Sequence, residues 1–103
     1  MYPETNEARQ IRAQIAQLGT ALNEDRVSDD AYKQELRKLL DAYFVSLTRD
    51  ADVMLQAMKD YTAQIESAHR QKKMSDKEYE LHHLVMILVT YCQEDFCNRV
   101  YFE

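Results

Sequence analysis

Apolar residues are spread along the chain in three helical stripes and one unbroken run. The run is Leu84-Val85-Met86-Ile87-Leu88-Val89-Thr90-Tyr91-Cys92. A segment apolar on all sides must be surrounded by the rest of its chain or by a second copy. It is far shorter than the ~20 residues that span a bilayer, so it predicts the core of a central helix and no membrane span. Within a helix from Asp76 to about Val100, Leu81, Leu84, Val85, Leu88, Cys92 and Phe96 make a main apolar face, and Met86, Ile87 and Cys97 fall elsewhere.

Upstream, Ile11, Ile15, Leu18 and Leu22 form one narrow stripe between about Glu4 and Glu24, the mark of a helix lying on something. Gly19 interrupts it beside Ala13, Ala16 and Thr20, which leaves either a close approach by another helix or a tolerated glycine. From Leu40 the apolar positions run Phe44, Leu47, Ala51, Met54, Met58, Tyr61, Ile65 and Ala68, alternating fours and threes as in a coiled-coil seam. The unbroken seam leans toward a single middle helix of about 44 residues and roughly 65 Å. A break at Thr48-Arg49-Asp50-Ala51-Asp52, with Thr48 as N-cap, makes two helices instead.

One motif occurs twice. Arg26-Val27-Ser28-Asp29-Asp30-Ala31-Tyr32 parallels Lys73-Met74-Ser75-Asp76-Lys77-Glu78-Tyr79. Both read as helix starts. Ser28 and Ser75 are the N-caps, and Val27 with Tyr32 and Met74 with Tyr79 are placed as hydrophobic staples. Ser75 and Glu78 have the capping-box spacing, which Ala31 cannot complete at the first site. The expected fold is therefore all-α: an antiparallel bundle of two αα-hairpins in one domain over residues 1–103. It has three helices with a long middle one, or four if the chain breaks near Thr48. The doubly apolar last helix needs a second partner, and a two-fold homodimer supplies it.

Composition sharpens this picture. One Gly and one Pro in 103 residues point to long helices and very short turns. A net charge of −5 disfavours nucleic acid, whose phosphates need a basic stripe. The basic cluster Arg70, Lys72, Lys73 sits at a helix end, where cations complement the dipole. Met1-Tyr2-Pro3-Glu4 opens no secretory signal, and Cys92 and Cys97 lie about 140° apart on a helix, too divergent to bridge within it. Reduced thiols in a cytoplasmic protein are the expectation.

Candidate chemistry is sparse. Glu66-Ser67-Ala68-His69 and Glu80-Leu81-His82-His83 each place a carboxylate and an imidazole one turn apart. This unit resembles the ligand pairs of ferritin-like di-iron bundles, and the resemblance implies a metal site built on Glu66, His69, Glu80 and His83. The resemblance covers only these two short units. Ferritin-like sites lie deep in the bundle with two further carboxylates, whereas these pairs flank a hairpin end and His83 points away from the main apolar face. The reading carried forward is metal-free and cofactor-free. It is a small helical protein–protein interaction module, such as an adaptor, chaperone, immunity protein or inhibitor, without catalysis. Its partner is another protein or a second copy, and its interface candidates are Met86, Ile87, Phe96, Tyr101 and Phe102, aromatics being strong interface anchors.

Overall fold

A computed structural model describes residues 4–91. It contains four helices: α1 Asn6–Asn23, α2 Asp29–Leu47, α3 Ala51–Arg70 and α4 Asp76–Tyr91. They form two αα-hairpins, α1/α2 and α3/α4, with α2 and α4 packed side by side between the outer helices.

The middle helix is broken, against the expectation of a continuous seam. Thr48 is not an N-cap: it ends α2, its backbone extended at φ −165° and ψ 157°. Its hydroxyl accepts from Asp50 N–H at 3.0 Å. Asp50 is the true cap of α3, with Oδ1 accepting from the amides of Asp52 and Val53 at 3.0 and 3.1 Å. Two short polar side chains thus offer the backbone partners that a continuing helix would have had to supply. The seam survives the break because both helices turn their stripe to one core. Leu40, Phe44, Met54, Met58 and Tyr61 are buried, and only Ala51, at the first position of α3, is exposed.

The repeated motif forms the same turn twice. After α1, the amides of Glu24, Asp25 and Arg26 donate to the carbonyls of Thr20, Leu22 and Ala21. After α3, Gln71, Lys72 and Lys73 donate to Ser67, His69 and Ala68 in the same pattern. This is the Schellman arrangement, whose C′ residue is left-handed. Asp25 at φ 58° and Lys72 at φ 61° hold that place without being glycine. Ser28 and Ser75 then cap the next helix by accepting from Ala31 and Glu78 amides, each at 3.1 Å.

The expected capping box at Ser75 is only half formed. The Glu78 carboxylate turns to α1, where it accepts from the Asn23 side-chain amide at 2.8 Å. Ser75 Oγ donates to Asn23 Oδ1 at 2.7 Å, so three side chains lock the end of α1 to the start of α4. Gly19 is the clearance for this lock. A Cβ there would press on the Glu78 carboxylate, whose carboxyl carbon would lie 2.8 Å away. The close neighbour is the end of one flexible side chain and not the backbone of another helix. Lys77 adds an ion pair to Asp29 of α2 at 3.0 Å.

The other end is tied through Arg12. Its guanidinium meets Glu4 at 3.1 Å and donates to Tyr43 Oη at 2.8 Å and Gln64 Oε1 at 3.2 Å. Tyr43 in turn donates to Glu4 at 2.9 Å. Between these two ties lies a core with an aromatic centre, Tyr43, Phe44 and Tyr61, packed edge-on or tilted at 5.4–5.7 Å.

Candidate interaction surface

From Leu84 onward α4 is nearly all apolar, so its core face there is decided by packing. The face turned inward is His82, Val85, Met86 and Val89. This corrects the sequence-based face: Leu84 and Leu88, placed at its centre, are 50% and 47% exposed. Ile87 is 41% exposed, whereas Met86 is only 3% exposed and belongs to the core. Phe96, Tyr101 and Phe102 lie outside the described residues, as do Cys92 and Cys97.

Leu84, Ile87 and Leu88 occupy positions i, i+3 and i+4, and so form one ridge along α4. A groove of about 420 Å³ runs beside it, between α3 and α4. From α3 it is lined by Leu55, Met58, Lys59, Thr62, Ala63 and Glu66. His83, Met86, Ile87 and Thr90 close it from α4. On the far side of the ridge, a shallower groove of about 280 Å³ separates α4 from α2, bordered by Lys33, Arg37, Val85 and Leu88 among others. The result is an apolar strip with a rim carrying both signs of charge.

The two Glu-x-x-His pairs do not assemble a site. His69 and His83 both stack on Tyr79, with ring centroids 4.0 and 5.6 Å from it. His69 Nε2 is bound to Asp76 Oδ1 at 2.7 Å. Glu66 and His83 border the groove, while Glu80 is exposed to solvent. Among the described residues, no three His, Cys, Asp or Glu side chains come together in a way that would hold a metal ion.

The residue that sequence reading passed over is His82. It is 1% exposed, and its Nε2 is hydrogen-bonded to Tyr61 Oη at 2.8 Å. Burial lowers the His82 pKa from 6.5 to about 4, so the ring is neutral at pH 7. Burial also pushes the Tyr61 and Tyr32 phenols well above their ordinary range, keeping both protonated. His82 Nδ1 and Tyr32 Oη are buried without a hydrogen-bond partner among the described residues. The Tyr61–His82 pair is a buried polar contact of the core and is not part of the groove lining. The available signal was the 82, 85, 86, 89 spacing, which is as helical as 81, 84, 85, 88.

No protein family, no curated protein and no solved structure matches this chain. No helix among the described residues is long and apolar enough to cross a membrane.

Proposed function

We propose that this protein works by binding protein through the α3/α4 face, with no catalytic step. The observation that carries the reading is the ridge Leu84, Ile87 and Leu88, three large aliphatic side chains left half in water on an otherwise core-forming helix. Single exposed leucines are ordinary, but a contiguous apolar strip beside a groove is characteristic of a docking surface. The α3 side of the groove runs from Leu55 to Glu66, about 16 Å or three turns of helix, and anchors spaced i, i+3, i+4 are those of helix-to-groove recognition. A cytoplasmic setting fits two cysteines that a helix would hold apart.

Capture experiments from the native host test this with three baits. The unmodified chain and a Gln17→Lys control on the exposed side of α1 should retain the same proteins. Ile87→Glu should lose them, because a carboxylate is costly in a desolvated interface. If Ile87→Glu retains the same set, this face is not the binding surface and the reading fails.

A further inference from the structure

The rim of the α3/α4 groove has a property that an arbitrary partner would not require. Lys59 and Glu66 both border it from α3. They are seven residues apart, hence on the same side of the helix and separated by about 10 Å along its axis. Neither makes an ion pair with another described residue. Between them lie Thr62 and Ala63, small side chains that let another helix come close. Opposite charges placed symmetrically about a small centre are self-complementary: a half-turn about that centre exchanges them. On the other flank of the ridge, Lys33 is already paired with Asp30 at 3.4 Å.

We infer that the face is occupied by a second copy of this chain, packed antiparallel about a two-fold axis that runs between the two α3 helices, level with Thr62 and Ala63. Lys59 of each copy then meets Glu66 of the partner subunit, twice per dimer. The ridges Leu84, Ile87 and Leu88 of the two copies fill the space between the α3/α4 layers. An isologous interface needs only one self-complementary patch, which is why two-fold dimers are so common. Two rim ion pairs fix orientation and register, and the apolar strip supplies the burial. The inference rests on the proposed role of the α3/α4 face and names its occupant.

Charge reversal with purified full chain tests it without any unknown partner. By light scattering after size exclusion, the unmodified chain should have twice the 12.2 kDa of one copy at micromolar concentration. Lys59→Glu and Glu66→Lys should each weaken the dimer roughly 10- to 100-fold, since each replaces two attractive pairs by two repulsive ones. Mixing the two single variants in equal amounts should restore a dimer, because their altered rims are complementary to each other. Circular dichroism confirms that each variant keeps its helices. Three results overturn the inference: an unmodified chain that stays monomeric, single variants that dimerise as well as the unmodified chain, or a mixture that stays monomeric. A monomeric unmodified chain leaves the broader binding role to the capture experiment. A dimer that also survives Ile87→Glu removes this face from both.

Discussion

His82 shows how a single residue can set a pH dependence for the whole fold. Its pKa is about 4 in the folded chain and near 6.5 when the ring is exposed. Between those values the unfolded state binds the extra proton, so stability rises with pH across this window. The contribution is complete above pH 6.5, declines as pH falls toward 4 and is lost below it. A shift of this size corresponds to about 3 kcal/mol. Urea denaturation at pH 7 and pH 4 should therefore show unmodified protein losing about 3 kcal/mol more than His82→Phe, which keeps an aromatic ring but cannot titrate. Parallel losses in the two proteins would mean that His82 is not neutral and buried. Gly19 makes a different point at the same scale. Its neighbours Ala13 and Ala16 are exposed, and the close approach it permits is to one carboxylate, that of Glu78.

Among the elements, the two hairpins share a turn but not its consequences. Tyr32 and Tyr79 occupy the same place after their caps, yet Tyr32 is sealed in the core while Tyr79 stacks on His69 and His83. The caps differ likewise. Ser28→Ala should cost about 1 kcal/mol, the ordinary value of an N-cap. Ser75→Ala should cost roughly 2 kcal/mol, because it also removes the hydroxyl that donates to Asn23 and links α4 to α1. Equal midpoint shifts for the two variants in urea would show that the Asn23 link adds nothing. The larger cost of Ser75 follows from the sequence-based capping argument only in direction. The partner responsible is Asn23, 52 residues away, rather than a reciprocal bond from Glu78.

For the molecule as a whole, the break at Thr48 decides the shape. A continuous middle helix would be a rod of roughly 65 Å. With the break, the chain measures 39 × 26 × 24 Å and has a radius of gyration of 13.4 Å. That value is near the ~13 Å expected for a packed chain of this length. Small-angle scattering from a variant kept monomeric, such as Ile87→Glu, should return a radius close to 13–14 Å. A markedly larger radius with a rod-like profile would restore the continuous helix. The break also explains why one chain buries most of its seam without a second copy. Among the described residues, the large apolar side chains left exposed are Val53 on α3 and the ridge Leu84, Ile87 and Leu88 on α4.

Local chemistry was legible in the sequence because it acts over a few residues. The starts of α2 and α4 follow from Ser28 and Ser75, the all-helical class from the stripes and the near absence of Gly and Pro, and the stripe of α1 from Ile11, Ile15 and Leu22. What the sequence left open was every choice between alternatives of nearly equal local cost. The Leu40-to-Ala68 spacing is satisfied by one helix or by two facing the same core, and only the gain from folding the α3/α4 hairpin back on the α1/α2 hairpin, α4 against α2 above all, selects the second. The run from Leu84 to Tyr91 offers no polar face to define its outside. Packing against Tyr61, Met58 and Leu36 therefore turned His82, Val85, Met86 and Val89 inward and left Leu84, Ile87 and Leu88 as the exposed ridge. A helix with apolar residues all round has no preferred side of its own, so the position of that ridge is a property of the tertiary structure alone.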